Sequence, residues 1–413
     1  MSNNLLTISK ITNEALMVLE NELTFTGEVD RNYDDQFAVV GAKIGQTVNV
    51  RRPGRFVGAV GPQLVVEDLN ETSVPVTLST QFQVSTQFTT QDLALSLDMF
   101  SDRVLKPAIA TIANKMDRDG LLMAKNNTAN IVGTAGTAPT GLITYLTAAA
   151  YLDSEGAPRD GRRSVIVEPF TSATIVDSLK GLFVPTSQIS SQYTKGLMGR
   201  DSGGMNWRMD QNVVSQTFGS YSGATLSCNV TTATGFLSTG WAYSSNITIG
   251  ATSAAATLNQ GDTFTIAGVY AVNPQNRQTY GNKLRSFVVA STTAIGSGGT
   301  ATVTVIPAVI TGGQFQNVSV TSTGSQTVTP FNNTGTVSAQ NILMHKNAFT
   351  LACADLELPE GVHFAGRASD KEIGLSIRVV RQYTINNDSI PTRLDVLYGW
   401  APLYPELACR IAS

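Results

Sequence analysis

A central stretch of the chain is almost free of charge, and this feature limits the possible folds more than any other. Of the 135 residues between Asp210 and Lys346, only four are charged: Asp262, Arg277, Lys283 and Arg285. Serine, threonine, glycine and asparagine take the place of charge, while the rest of the chain is charged at roughly 20%, near the usual roughly 25%. The stretch therefore differs in composition from both of its flanks.

Short runs rich in β-branched residues recur through this stretch, separated by glycine-rich turns such as Ile295–Gly299. The runs are Asn246–Ala251, Thr263–Val269, Arg285–Ser291, Ala301–Ile310 and Gln316–Ser322. This pattern is typical of a small antiparallel β-barrel or sandwich. We predict an all-β domain over residues 223–340, inserted into a chain of α+β class.

The sign of the charge reverses along the first 66 residues. Residues 1–35 carry a net charge of −5, because two basic residues face the acids Glu14, Glu20, Glu22, Glu28, Asp30, Asp34 and Asp35. Residues 36–66 carry +4, from Lys43, Arg51, Arg52 and Arg55. Two solvated segments that happen to differ in charge would explain the pattern. The alternative is a contact across a subunit boundary between Arg51, Arg52 and Arg55 and acidic groups of a neighbour, with Asp34 and Asp35 as candidates.

Apolar and polar side chains mostly alternate along residues 74–88, which predicts one strand about 50 Å long at roughly 3.3 Å per residue. With Thr47–Arg52 as its partner, it would form a two-stranded arm that is not stable without a neighbour. A long helix follows, either kinked at Pro107 or beginning near Ser101. Its apolar stripe consists of Phe100, Val104, Ala108, Ile112 and Met116.

The other predicted elements alternate helices and strands, so the body of the chain reads as mixed α+β. They are an N-terminal helix with Ile8, Ile11, Ala15, Leu19 and Leu23 on one face, a short helix ending near Asp153, a buried strand Ser164–Glu168, a helix Pro169–Phe183, a strand Asn341–Ala354, and a pair of strands Ile373–Ile385 and Ile390–Trp400 joined by a turn at Asn386–Asp388.

The chain offers few groups for catalysis or for metal binding. His345, Cys353 and His363 do not have the spacing of a structural zinc site. Gly133–Thr137 lacks the Lys-Ser/Thr ending of a phosphate loop, and Asp201–Gly204 resembles a hydrolase fragment without a recognisable histidine partner. We therefore predict no enzyme activity, no cofactor and no metal.

Other classes of protein are also disfavoured. A pI near 5.5 argues against sequence-specific nucleic-acid binding, and no apolar run approaches the roughly 20 residues of a membrane helix. Three scattered cysteines indicate a reducing compartment, and no secretory signal is visible at the N-terminus.

Four segments, in their order and spacing, carry a family resemblance. They are Val48–Pro53, Leu95–Ser101, Gly261–Val269 and Asp395–Trp400. The chain resembles the major capsid proteins of short-tailed bacteriophages of the P22 type, which have the Hong Kong 97-type capsid fold with an inserted β domain. The resemblance implies an N-terminal arm (1–35), an extended loop (36–90), a spine helix with the peripheral domain (91–139), an axial domain (140–222), the insertion (223–340), and closing axial and peripheral strands (341–413).

The resemblance also implies a function and partners. The chain would assemble into hexamers and pentamers of an icosahedral head around double-stranded DNA, with a scaffolding protein and a portal protein, in the cytoplasm of a bacterial host. Salt bridges between capsomers through the insertion would rely on Arg277, Lys283 and Arg285. The acidic arm would contact either the extended loop or a basic scaffolding segment.

Two alternatives stay open. A β-rich adhesin or carbohydrate-binding protein would explain the Ser/Thr-rich stretch with Trp241 and Tyr243, but neither the long helix nor the missing secretion signal. A cellular encapsulating shell protein of the same fold is nearer, although such shells typically lack the inserted domain.

Overall fold

The computed structural model describes residues 15–17, 19, 23–31, 47–89, 106–179, 203–231, 235–332, 335–370 and 375–413. Several predictions fall on other residues and lie outside this description: the first part of the N-terminal helix, the start of the long helix with Phe100 and Val104, and the end of the helix predicted to reach Phe183. No helix in the described ranges is long and apolar enough to cross a membrane.

Residues 15–17 and 19 are helical, as expected for the later part of the N-terminal helix, and the described ranges hold three further α-helices and twenty-four strands, which confirms the α+β class. The helices are α1 (Lys106–Asn127), α2 (Leu142–Ser154) and α3 (Pro169–Leu179). The strands are β1 (Thr47–Arg52), β2 (Thr72–Thr77), β3 (Thr80–Thr89), β4 (Ile131–Gly133), β5 (Arg163–Val167), β6 (Asn206–Met209), β7 (Ser215–Thr217), β8 (Thr225–Asn229), β9 (Phe236–Leu237), β10 (Ser245–Thr252), β11 (Ala256–Leu258), β12 (Thr263–Val272), β13 (Thr279–Val289), β14 (Thr293–Ile295), β15 (Thr300–Ile306), β16 (Val309–Ile310), β17 (Val318–Val320), β18 (Ser325–Pro330), β19 (Val337–His345), β20 (Phe349–Ala354), β21 (Phe364–Asp370), β22 (Leu375–Arg381), β23 (Ser389–Pro402) and β24 (Ala408–Ala412).

The chain forms two compact units. Unit 1 takes its described residues from Met1–Val50, Val74–Gly120 and Phe349–Leu403. Unit 2 takes them from Arg51–Ser73, Leu121–Ala348 and Tyr404–Ser413. Each unit is therefore assembled from three separate parts of the sequence.

Unit 1 is built on a sheet of five described strands, in which β20, β23, β22 and β21 follow one another and β3 pairs with the long strand β23. The strand pair predicted around the turn at Asn386–Asp388 is confirmed as β22 and β23. β3 runs antiparallel to β23 from Thr80, opposite Tyr398, to Thr89, opposite Ser389.

The prediction of one fifteen-residue strand over 74–88 is wrong, because the chain changes partner near Leu78. β2 pairs with β1, as expected, whereas β3 pairs with β23. The side-chain alternation continues through the break and so gives no sign of it. Gly399 of β23 lies against the backbone at this change of partner, because a Cβ at this position would clash with the carbonyl oxygen of Thr77.

The short segment 23–31 is held against α1 by two residues almost one helical turn apart. The buried carboxylate of Asp117 accepts backbone N–H bonds from Thr24 (2.7 Å) and Thr26 (3.0 Å). At Gly120 the ring of Phe25 packs against the helix backbone, with the two ring centroids of Phe25 and Trp400 5.4 Å apart. Burial raises the pKa of Asp117, and the hydrogen bonds oppose that shift.

The long helix is confirmed where it is described, with Ala108, Ile112 and Met116 of the predicted stripe buried. Pro107 lies in the first turn of α1 as described, where a missing backbone N–H costs little.

Unit 2 contains a sheet whose described strands run in the order β4, β24, β19, β5, β6, with β7 also pairing with β19. α2 covers this sheet through Tyr145, Ala148 and Leu152, which share a core with Val165 of β5 and Leu343 of β19. The helix ending near Asp153, the strand 164–168 and the helix beginning at Pro169 are all confirmed.

The predicted strand Asn341–Ala354 is two strands. β19 and β20 are separated by a 3₁₀ turn at Lys346–Ala348 and belong to different sheets. Because both strands are buried and apolar, composition alone does not reveal where the chain leaves one sheet for the other.

The charge-poor stretch forms an antiparallel barrel, also in unit 2. Six described strands close in the order β13, β15, β10, β8, β18, β12, with β12 pairing again with β13, and β17 adds to β12. Along β10, Ile247, Ile249 and Ala251 face the core while Asn246 and Thr248 are exposed. A closed barrel leaves few strand edges to pair with other chains. Each of the five runs that predicted strands forms strand here.

A buried polar cluster lies where α1, β24 and the barrel meet. The Lys125 ammonium donates to Gln216 Oε1 at 2.7 Å, and Gln216 Nε2 donates to the Asp262 carboxylate at 2.8 Å. Arg410 is fully buried and donates to the carbonyl oxygen of Gly261 at 2.9 Å. Burial, and then repulsion from Arg410, lowers the pKa of Lys125 to about 8, with Asp262 acting in the opposite direction.

Substituting Gly120→Ala is expected to destabilise unit 1. The new Cβ would lie 2.6 Å from the Trp400 ring and 2.7 Å from the Phe25 ring. Overpacking of this kind costs about 1–3 kcal/mol, partly offset by the roughly 1 kcal/mol of helix propensity gained. The free energy of unfolding, measured in urea, should therefore be lower for Gly120→Ala than for wild type. Gly27→Ala is the matched control, because its Cβ would meet nothing within 4 Å; equal stability of the two variants would contradict this packing.

Lys125 should make unit 2 more stable as the pH rises. Its pKa is about 8 in the folded chain, against an ordinary 10.5. Between these values the unfolded chain holds a proton that the folded chain has released, so the free energy of unfolding rises with pH, by about 1 kcal/mol per unit. Urea unfolding of wild type and Lys125→Met at several pH values should show this slope only in wild type. Lys115→Met, at a half-exposed lysine of the same helix, should keep it; parallel curves for wild type and Lys125→Met would refute the assignment.

Candidate inter-subunit surface

Residues 53–71, between β1 and β2, form a long segment without regular secondary structure. Seven large apolar side chains of this segment are more than half exposed: Phe56, Val57, Val60, Leu64, Val65, Val66 and Leu69. We call this segment the loop surface. Soluble monomers rarely expose so many adjacent apolar side chains, and such patches mark sites of interaction.

The loop surface keeps its shape through backbone contacts rather than through a core of its own. The Glu67 carboxylate accepts the backbone N–H groups of Val57 and Gly58, both at 2.6 Å. Two N–H groups that would otherwise face only water are thereby paired, and the two arms of the loop are joined. The apolar side chains stay free to meet another surface.

Arg52 anchors the base of the loop surface. Its guanidinium donates to Glu406 Oε1 at 2.6 Å and lies 4.3 Å from the ring centroid of Tyr404 and 5.7 Å from that of Trp241. The Arg52 side chain is only 9% exposed. An arginine between a carboxylate and two aromatic rings is strongly held, because its flat cation stacks on rings while its edge donates.

The barrel holds the loop surface at two further points. Arg277 Nη2 donates to the carbonyl oxygen of Phe56 at 3.2 Å. Gln314 Nε2 donates to the carbonyl oxygen of Asp68 at 2.6 Å, and Asn70 donates to Gln314 Oε1 at 3.2 Å. The two ends of the loop surface are therefore fixed, and its apolar middle is presented outward.

Arg285 belongs to the interior of unit 2. Its side chain is 3% exposed and pairs with Glu155, which follows α2 and also accepts from the Tyr280 hydroxyl at 3.0 Å. Lys283, on the same strand β13, is exposed, with its ammonium 6.0 Å from the ring centroid of Tyr151. In the single chain the guanidinium of Arg285 is therefore buried and paired, and the contact between subunits expected for it stays a prediction.

The other residues expected at a subunit boundary are placed differently from one another. Arg51 is 81% exposed, with its guanidinium 3.4 Å from the Glu71 carboxylate. Arg55 is partly exposed and lies 3.6 Å from Glu406. Asp34 and Asp35 lie outside the described residues. The contacts with a neighbouring subunit predicted for these four residues, and for Arg52, Arg277 and Lys283, stay predictions.

The sequence analysis does not predict Glu155 and Glu406, although both pair with arginines that it singles out. Each is an isolated acid more than 100 residues from its partner, Arg285 and Arg52 respectively. No local pattern identifies such pairs. The run of basic residues signals only that acidic partners exist somewhere in the fold or beyond it.

In the part of the chain that the structure describes, no group of three or more His, Cys, Asp or Glu side chains could hold a metal ion. The His345 ring lies 3.2 Å from the Asp160 carboxylate, and the three cysteines are buried. Burial raises the pKa of the Cys228 thiol to about 11, so it stays protonated at neutral pH.

Comparison with known proteins gives a family. The family model described as "P22 coat protein - gene protein 5" matches residues 2–410. Similar solved structures include that of Mycobacterium phage Che8, at 12% identity and TM-score 0.47, covering 94% of this chain and 90% of that one. The capsid of Ralstonia phage GP4 gives 8% identity, TM-score 0.46 and coverage of 94% and 88%. The mature capsid of bacteriophage PhiM1 is 10% identical, with a TM-score of 0.45, and the match covers 94% of this chain and 86% of that one. A search of curated proteins found no match.

The family match spans almost the whole chain, including the loop surface, the long helix and the barrel. The resemblance that four short segments indicated is therefore confirmed. The chain belongs to the P22 coat protein family and is a major capsid protein of a bacteriophage.

Proposed function

We propose that this capsid protein assembles into hexamers and pentamers of an icosahedral head that encloses double-stranded DNA. The loop surface carries the proposal, because seven apolar side chains are held outward by a base that is itself well paired. A surface of this kind is completed by another copy of the chain. Repeating such a contact around a ring, and between rings, generates a closed shell.

The energy of this contact suits assembly. Burying one large apolar side chain contributes about 1.5–3 kcal/mol, so the seven exposed side chains supply on the order of 10 kcal/mol before the cost of association. The net contact is weak enough to break and reform while a shell grows. The many copies in a closed shell then make the whole structure stable.

The division of the chain into domains is also a proposal, and it follows the resemblance to the capsid family. Residues 1–35 would form the arm, 36–90 the extended loop, 91–139 the spine and peripheral domain, 140–222 the axial domain, 223–340 the insertion and 341–413 the closing strands. A scaffolding protein and a portal protein would guide assembly in the host cytoplasm. The packaged DNA would be held without sequence-specific contacts, as a net charge of −3 favours, and the protein would have no enzymatic activity.

Leu64→Asp should abolish assembly without affecting the folding of the chain. Leu64 is 90% exposed, so a charge there costs little in the free chain but much when the loop surface is covered. The yield of particles, measured by sedimentation velocity and electron microscopy, should fall at least about tenfold. Gln63→Asp is the matched control, since it adds the same charge at an adjacent exposed polar residue. Normal particles from Leu64→Asp would rule out the loop surface as the contact.

Arg51 is the residue at which the predicted contact with an acidic arm can be tested. Arg51→Glu should leave the unfolding transition unchanged, because the side chain is 81% exposed, and should lower particle yield. Arg52→Glu is expected to lower the stability of the free chain by about 3 kcal/mol, because it would place a carboxylate beside Glu406 between two rings. Unlike Arg51, Arg52 therefore cannot separate assembly from folding.

A charge swap distinguishes the two proposed partners of the acidic arm. Asp34→Arg combined with Arg51→Glu should restore assembly if the arm meets the loop of a neighbour. If the double variant changes only the assembly that requires the scaffolding protein, the arm binds a basic scaffolding segment instead. Wild-type yield from Arg51→Glu alone would remove the contact between arm and loop altogether.

A further inference from the structure

Unit 2 contains a partly open cavity of about 60 Å³ at the base of the loop surface. Three arginines line it, Arg52 and Arg55 from the loop side and Arg285 from the barrel, together with the carboxylates of Glu155 and Glu406. One water needs roughly 10–15 Å³ of such space, so the cavity has room for a small ligand. Neither the family match nor the proposed function assigns a ligand to it.

The charges that line the cavity do not balance. Glu155 is paired with Arg285, and Glu406 Oε1 is held by Arg52 at 2.6 Å. Arg55 reaches the same Glu406 oxygen only at 3.6 Å. Three guanidinium groups therefore share two carboxylates, which leaves an excess of one positive charge.

Arg285 has unused hydrogen-bonding capacity at this place. Its side chain is 3% exposed, and Nε has no hydrogen-bond partner among the described residues. A buried N–H without an acceptor costs about 1–3 kcal/mol, more on a charged group. Burial also lowers the pKa of Arg55, with Glu406 opposing the shift and Arg52 adding to it. Both arginines would be stabilised by an acceptor of negative charge.

The other residues that line the cavity restrict the size and chemistry of the ligand that would supply this acceptor. Pro307, Ile310 and Phe315 supply apolar surface, and Trp241 and Tyr243 supply rings, so few further donors or acceptors surround the space. The bulky group of a larger carboxylic acid or phosphate ester has no room within about 60 Å³ and would have to project out of the cavity. A divalent anion would exceed the single surplus charge.

We propose that this cavity binds one small monovalent inorganic anion, chloride or an ion of similar size, between Arg285 Nε and the guanidinium of Arg55. The anion balances the charge of the cavity and supplies the missing acceptor. Because Arg55 is on the loop side and Arg285 on the barrel, the bound ion also ties the base of the loop surface to the barrel. The inference concerns the free chain and does not depend on how the shell assembles.

Binding is tested by ³⁵Cl nuclear magnetic resonance on the full-length unassembled chain, in sodium gluconate buffer with increasing sodium chloride at constant ionic strength. Wild type should broaden the chloride line with a saturable component, and its thermal unfolding midpoint should rise over the same range. Arg55→Gln should lose the saturable component, because it removes the surplus charge. Arg55→Lys should keep it, with chloride affinity reduced by less than about tenfold, since the charge remains.

Arg51→Gln is the matched control. It removes an arginine of β1, adjacent to Arg52 in sequence, that does not line the cavity, and it should bind chloride as wild type does. Circular dichroism would establish that Arg55→Gln is folded. If wild type shows no saturable component, the cavity holds water only and the proposal fails. It fails equally if Arg55→Gln binds as wild type does, or if Arg51→Gln loses binding as completely as Arg55→Gln.

Discussion

The cost of removing charge from water governs how unit 2 is put together. The barrel has four charged residues, and three of them, Asp262, Arg277 and Arg285, contact other parts of the unit. Arg285 pairs with Glu155, and Asp262 accepts from Gln216 and from the backbone N–H of Gly219. Buried charges of this kind persist only where partners satisfy them, so these contacts set the position of the barrel. The low charge of the stretch therefore reflects a closed apolar core with a few polar points of attachment.

The loop surface is the counterpart of this well-satisfied interior. Its ends are hydrogen-bonded to the barrel through Arg277 and Gln314 and ion-paired to Glu406 through Arg52. Its middle cannot be satisfied within the chain, because a single loop has no second layer against which to bury its apolar side chains. A capsid protein needs both the fixed ends and the exposed middle. Its contact surface must keep one geometry and must stay uncovered until a neighbouring subunit binds.

Secondary structure was largely predictable, whereas strand pairing was predictable only in part. The five runs of the charge-poor stretch, α2, and the turn between β22 and β23 follow from local composition and periodicity. The errors occur where the chain changes partner without changing pattern, near Leu78 and at Lys346–Ala348. Side-chain alternation reports which face of a strand is buried but is silent about the strand beside it. Gly120 and Gly399 are likewise unremarkable in sequence, and only the rings and backbone packed against them explain why no side chain is tolerated there.

The sequence by itself determined the α+β class, the inserted β domain, the charge reversal near the N-terminus and the family, because each is a property of composition, periodicity or ordered segments. Only the tertiary structure decided which arginines are exposed and which are buried against partners within the chain. Arg51 is exposed, Arg52 is stacked against Tyr404, and Arg285 is buried beside Glu155, although all three look alike as basic residues in the chain. The physical reason is that the state of a charge depends on its partners and its contact with water, and folding brings those partners from more than 100 residues away.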